Sequence, residues 1–247
     1  MMSDMNKLAR VSVCMATYNG EKYIKQQIDS ILKQLNDFDE LIISDDGSTD
    51  KTIQIIQEYK DERIRLFHHK HPVWNSKYYK SNVYVTANFE NALEHARGKY
   101  IFLTDQDDIW KENKVNIMID ALDKFGGVIM SSITIITEDG SIKREKDKPI
   151  KYSFLKGLLV AKYLGSSMAI SRSFLDKALP FPKNIVSHDA WIGLLATAKR
   201  SLTILDDTLL LYRRHSNNVT SKSIQTSLYS KLRYRFFLLI NILKRTL

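Results

Sequence analysis

The chain has a single cysteine, Cys14, set inside an apolar run. No intrachain disulfide can form, and a lone thiol fits a reducing compartment. Nowhere does the sequence approach the ~20 consecutive apolar residues that would span a bilayer. Met1 to Arg10 lacks the apolar core of a secretory leader. Internal repeats are missing, as are zinc-finger, RNA-recognition and helix-turn-helix signatures. The net charge of +9 therefore does not point to nucleic acid; it suits phosphorylated ligands or an anionic lipid surface. These absences exclude a disulfide scaffold, a membrane-spanning helix within these residues and a repeat array. At 247 residues, 44% hydrophobic and 26% charged, the chain has the size and composition of one large α/β domain or two small ones.

What is present is a strand–helix alternation. Val11 to Ala16 is a short apolar run suited to a buried parallel strand, broken by Thr17-Tyr-Asn-Gly20. Tyr23, Ile24, Ile28, Ile31, Leu32 and Leu35 follow at helical spacing. Phe38 to Ser44 predicts a second strand ending at Asp45-Asp-Gly-Ser-Thr-Asp50. A helix through Ile53 to Ile56 and a weaker strand over Arg63 to Phe67 come next. This order predicts a parallel sheet with right-handed crossovers. His68 to Ser81 reads as a mobile basic loop. Its three close histidines, His68, His69 and His71, match no standard metal spacing. Asn88 to Ala96 predicts a helix with Gly98 as its cap.

The stretch Lys99-Tyr-Ile-Phe-Leu-Thr-Asp-Gln-Asp-Asp-Ile-Trp110 organises the rest. It predicts a buried strand, Tyr100 to Leu103, running into Asp105, Asp107 and Asp108. Carboxylates this dense repel one another unless a cation sits among them. Ligands of open α/β sheets bind beyond the strands' carboxyl ends. A hard divalent cation, magnesium or manganese, fits there and brings phosphates with it. Asp108 also suits the N-cap of a helix starting near Lys111.

Beyond it, Lys111 to Phe125 predicts a helix with Val115, Met118, Ile119 and Leu122 buried. Val128 to Thr137 predicts a strand, and Asp139-Gly140 a hairpin turn. Lys143 to Lys151 is charged and expected to be solvated, and marks a soft boundary. Gly165-Ser-Ser167 is a turn, His188 to Lys199 a helix, and Leu202–Leu205 and Thr208–Tyr212 two short strands. The C-terminal tail brackets Phe236-Phe-Leu-Leu-Ile-Asn-Ile-Leu243 with Lys231, Arg233, Arg235, Lys244 and Arg245. Two readings stand for it: a basic helix lying in a membrane interface, or a helix packed on the body or on a partner subunit.

Two acidic clusters and a polar turn thus end neighbouring predicted strands. A carboxylate can accept the imide N–H of uracil or thymine, a neighbouring aromatic such as Tyr18 can stack on the ring, and a cation can take a diphosphate. Together these describe a nucleoside-diphosphate donor.

Here the sequence resembles glycosyltransferase family 2, the inverting nucleotide-sugar transferases with the GT-A fold. The resemblance rests on Val11-Ser-Val-Cys-Met-Ala-Thr-Tyr-Asn19, Ile43-Ser-Asp-Asp-Gly-Ser-Thr-Asp50, Ala87-Asn-Phe-Glu-Asn-Ala-Leu93, Phe102-Leu-Thr-Asp-Gln-Asp-Asp-Ile-Trp110, His188-Asp-Ala-Trp191 and Tyr212-Arg-Arg-His215, in the family's order. The Asp-Gln-Asp-Asp-Ile-Trp form is most similar to the bacterial rhamnosyltransferase-like branch that builds surface polysaccharides. The resemblance implies a Rossmann-like, mostly parallel sheet flanked by helices. Residues 1–110 would be the nucleotide-sugar-binding half and 111–220 the smaller acceptor-binding and catalytic half of one domain, with 221–247 a basic amphipathic tail.

It also implies roles. Ala16, Tyr18, Asn19, Asp46, Asn88, Gln106, Trp191 and Arg213 would contact substrate, with Asp46 on the base. Asp105, Asp107 and His215 would hold magnesium or manganese. Asp189 would be the general base, although it also suits a helix N-cap; Asp45 suits a role within its loop. The donor would be dTDP-rhamnose or a UDP-sugar, and the acceptor a glycan or lipid-linked glycan. The expected place is the cytoplasm, at the inner face of the cell membrane if the tail binds there; a homo-oligomer is the alternative use of the tail. The sequence departs from the family at Asn82-Val-Tyr84, where relatives carry a glycine, and in the His68 to Ser81 insert. Two other readings are a sugar-phosphate nucleotidyltransferase, disfavoured because Thr17-Tyr-Asn-Gly20 is not a Gly-rich phosphate loop, and a non-catalytic membrane-bound scaffold, disfavoured by the intact carboxylates.

Overall fold

The structure, a computed structural model, describes residues 9–70, 80–150, 153–160, 163–216, 218 and 228–246. Four strands form its parallel part: β1 (Val11–Thr17), β2 (Glu40–Asp45), β3 (Ile64–His68) and β4 (Tyr100–Asp105), ordered β3-β2-β1-β4. Their apolar runs are continuous because both faces are covered. Side chains alternate across the strand, so Val11, Val13 and Met15 pack on one side with helices α1 (Ile24–Leu32) and α4 (Lys114–Phe125). Cys14 packs on the other with α3 (Lys80–Glu94) and α7 (His188–Ala198). Helix α2 (Thr52–Glu58) joins β2 to β3.

The sheet continues beyond β4 through β8 (Met168–Ser171), β6 (Val128–Ile136), β9 (Leu202–Arg213) and the two-residue β5 (Ile109–Trp110), while β7 (Ile142–Asp147) pairs with β6. Strands β4 and β8 are antiparallel, so the second half is joined to the first edge to edge within one sheet. Helices α5 (Phe154–Val160) and α6 (Arg172–Ala178) complete that half, and α8 (Leu228–Thr246) closes the chain.

Several sequence expectations are corrected. The two short strands expected over 202–212 are one strand, β9. Its register on β6 shifts on either side of Ser132, and Asp206 and Asp207 are exposed there, which breaks the apolar pattern without ending the strand. The charged stretch from Lys143 begins as β7, an exposed edge strand after the expected turn, where Gly140 has φ +91°. Its charges guard the edge against pairing with other chains, and Lys146 and Lys148 pair with Asp206. Helix α3 ends at Glu94, so Gly98 does not cap it. Gly98 lies against β1 instead: a Cβ there would sit 2.6 Å from the Ser12 backbone nitrogen. Asn82-Val-Tyr84 lies inside α3, and residues 71–79 of the His68 to Ser81 insert fall outside the described residues. The tail is helical and packs Leu238 and Ile242 into the core.

Candidate active site

Sheet register brings the polar strand ends together. Ala16 pairs with Asp105, and Thr17 with Asp45. The Asp46 N–H donates to the Thr17 carbonyl at 3.0 Å. Beyond β1, Tyr18 is half exposed at 52% and Asn19 takes the left-handed conformation, φ +47°. The Asn19 side chain accepts the Thr49 N–H at 2.8 Å, and its own N–H donates to Ser48 Oγ at 2.9 Å. Gln106 ties this turn to the acidic loop, accepting the Tyr18 N–H and donating to the Tyr18 carbonyl, both at 3.0 Å. Any Cβ on Gly20 would collide with the Gln106 amide.

The neighbouring carboxylates Asp45 and Asp46 differ. Asp45 accepts the Gly47 and Ser48 N–H groups and the hydroxyls of Thr17 and Ser48, which builds the loop as expected. Buried Asp46 meets His69 Nδ1 at 2.9 Å. Asn88 donates to the Thr17 carbonyl at 3.2 Å, while its buried Oδ1 has no partner.

One carboxylate oxygen from each of Asp105, Asp107 and Asp108 lies within 4.8 Å of the others. Burial, then the charges of Asp107 and Asp189, push the Asp105 carboxyl up to about 7. Burial, then the charges of Asp107 and Asp105, hold Asp108 well above the usual carboxylate range. Asp107 Oδ2 meets His215 Nε2 at 2.8 Å and accepts Asn218 Nδ2 at 3.1 Å. Asp108 does not cap a helix. Helix α4 begins at Lys114 after a left-handed Asn113, and Asp108 Oδ1 accepts the Arg213 N–H at 3.0 Å, leaving its buried Oδ2 without a partner. An orphaned carboxylate oxygen among three acids, all of them hard oxygen donors, fits magnesium or manganese.

Buried Lys114 supplies the local cation. Its Nζ donates to the Ser166 carbonyl at 2.9 Å and lies over Trp110. Burial brings its pKa down to about 7 against the opposing pull of Asp108 and Asp105. The sequence held a signal for it: Lys114 is four residues before Met118, on the buried stripe of α4. Ser166 lies in the 3-10 turn Gly165–Ser167, which links the acidic loop to α7. A Cβ on Gly165 would sit 3.5 Å from Asp189 Cβ and 2.8 Å from His188 Nε2. Ser187, not Asp189, is the N-cap of α7. Asp189 sits in the first turn, where Oδ1 accepts the Ala190 N–H at 2.7 Å and the Ser187 hydroxyl.

Two expected substrate contacts are corrected. Trp191 is fully buried in the core, its indole N–H donating to the Ala178 carbonyl at 3.0 Å, so it cannot touch a ligand. Arg213 is a buried strut. Its guanidinium donates to the carbonyls of Asp107 and Glu138 and to Gln26 Oε1, which fixes the acidic loop against β9. His69, Lys114, Ser166 and Asn218 join the site from outside the sequence motifs.

The sheet, its flanking helices and the acids at the strand tips have the arrangement of the GT-A fold. The Glycosyl transferase family 2 profile matches residues 12–179, and the chain belongs to that family. It is 33% identical over 219 residues to the Escherichia coli UDP-Glc:alpha-D-GlcNAc-diphosphoundecaprenol beta-1,3-glucosyltransferase WfgD, covering 87% of this chain and 81% of that protein. Among solved structures, Staphylococcus aureus TarS residues 1–349 in complex with UDP-GlcNAc superposes with a TM-score of 0.66 at 18% identity, over 94% of this chain and 67% of that one. The Pyrobaculum calidifontis mannosyltransferase PcManGT in complex with GDP-Man and Mn2+ gives 0.54 at 19% identity, over 94% and 61%. The chain spans 60% of the length of uncharacterized mycobacterial relatives that are 30% identical over 217 residues.

Proposed function

We propose that the protein transfers a sugar, with inversion, from a UDP- or dTDP-linked donor to a hydroxyl of a glycan or lipid-linked glycan in bacterial surface polysaccharide synthesis. The observation that carries this reading is the facing of Asp189 and the Asp105–Asp107–Asp108 group across the Gly165–Ser167 turn. Acidic strand tips alone would describe a cation site; a further carboxylate opposite them supplies a base.

In this reading Tyr18 stacks on the base, Asp46 accepts its imide N–H, and Ala16, Asn19, Asn88 and Gln106 shape the pocket's edge. His69 orients Asp46. Asp105, Asp107 and His215, with Asp108 added from the acidic cluster, would hold magnesium or manganese, Asn218 fixing Asp107; the bound cation would offset charge on the donor diphosphate. Asp189 takes the proton from the acceptor hydroxyl as that oxygen bonds to the anomeric carbon. The bond from that carbon to the diphosphate breaks, and its electron pair leaves on phosphate oxygen. Residues 1–110 bind donor and 111–220 bind acceptor, with the reaction on the cytoplasmic side of the membrane.

The test is incubation with UDP- and dTDP-sugars and candidate acceptors, with and without manganese. Release of nucleoside diphosphate with a glycosylated product supports the reading. Pyrophosphate formed from a sugar phosphate and a nucleoside triphosphate would assign the protein to nucleotidyl transfer instead.

A further inference from the structure

Helix α8 has two apolar faces. Leu238 and Ile242 turn inward to the core. On the opposite side Tyr229, Leu232, Phe236 and Leu243 are exposed, at spacings of three, four and seven residues that put them on one stripe. A helix that only packs on a body carries polar residues outside. The stripe does not stand alone. Helix α5 exposes Leu155 and Leu159, four residues apart, and is fastened to α8 by Arg235, which donates to the Leu158 carbonyl. Six large apolar side chains on two touching helices exceed the scattered exposure of an ordinary surface.

The charge carried by these two helices has one sign. Neither α5 nor α8 contains an aspartate or glutamate. Lys156, Lys231, Arg233 and Lys244 are exposed on them, while Arg245 is drawn inward to the carbonyls of Lys177, Leu179 and Pro180. Two-fold pairing with a second copy would set this basic face against itself. An anionic bilayer complements it, taking the apolar stripe at the acyl boundary and the lysines and arginines at the headgroups. No helix among the described residues is long and apolar enough to cross a membrane, so the contact is one of lying on the surface.

We infer that α5 and α8 together form a docking face for an anionic lipid surface. Both helices pack on α7, whose first turn carries Asp189, so the docked membrane lies one helix from the candidate base. The inference goes beyond the proposed transfer reaction and does not require it.

The test is co-sedimentation of the full chain with phosphatidylcholine vesicles, with and without phosphatidylglycerol. Binding should need phosphatidylglycerol and weaken with salt. Phe236→Glu on α8 and Leu159→Glu on α5 should each lower partitioning about tenfold or more, the scale of losing one large buried side chain. Both positions are exposed, so far-UV circular dichroism and the melting shift with UDP or dTDP should match the parent; a nucleotide response kept while vesicle binding is lost separates this face from the active site. Equal binding to both vesicle types, loss in neither variant, or a concentration-dependent dimer that Phe236→Glu dissolves would overturn the inference, the last by giving the face to a second copy.

Discussion

The two acidic strand tips solve the same electrostatic problem in opposite ways. At the end of β2, Asp45 is saturated by two backbone N–H groups and two hydroxyls, and Asp46 faces His69. At the end of β4, three carboxylates crowd together, one buried oxygen has no partner, and two of the acids are pushed toward the neutral form. At the first tip Asp45 is satisfied entirely within the protein. The second is held at a cost that a divalent cation would remove. Similar sequences, Asp-Asp-Gly and Asp-Gln-Asp-Asp, therefore encode a hydrogen-bonded loop and a crowded acidic cluster with an unpartnered oxygen.

The largest effect that would sharpen this contrast lies opposite the second tip. Asp189→Asn should lower turnover by ~10²–10⁴, the scale of removing a positioned base, while the melting shift with nucleoside diphosphate persists; an active variant would place the base elsewhere. Asp107→Asn should abolish the manganese-dependent part of that shift, because it removes the acid held by His215 and Asn218. Nucleotide binding that stays manganese-dependent in this variant would break the assignment. Asp45→Ala should act on stability instead. Losing an acceptor shared by four donors costs about 2 kcal/mol, a Tm fall of roughly 4–8 °C for a chain this size, with the manganese response kept.

The smallest effect is in pH. Burial and the neighbouring acids push the Asp105 carboxyl from an ordinary 3.8 up to about 7 in the folded chain, so between those values the folded chain binds more protons and stability falls as pH rises. Lys114 moves from 10.5 to about 7. Above neutrality the folded chain then binds fewer protons than the unfolded one, and stability recovers toward pH 10. Without divalent cation, the Tm of the parent relative to Asp105→Asn should decline from about pH 4 to 7; manganese should flatten that decline. A relative Tm that does not fall over this range would mean that the Asp105 carboxylate ionises without penalty.

Much of this was legible in the sequence because β1, β2 and β4 are buried on both faces and so read as unbroken apolar runs ending in acids. Asp105, Asp107 and Asp108 could be placed from that alone. His69 could not, since only the register of β3 on β2 sets it beside Asp46. Lys114 sits on a buried stripe, yet lysines at helix starts are common on surfaces, and its burial depends on the Ser166 carbonyl in the Gly165–Ser167 turn. Trp191 shared a motif with Asp189, but positions two apart on a helix lie on different faces, and this one points into the core. Asp206 and Asp207 interrupted a pattern that the backbone of β9 carries through at a shift in register.

The paired bonds between Gln106 and both backbone polar atoms of Tyr18 have a further consequence. They clamp the turn after β1 to the loop after β4, so the exposed tyrosine ring and the acidic trio belong to a single stiff jaw. Whatever spans the two meets a spacing set by one glutamine side chain rather than by two independent loops.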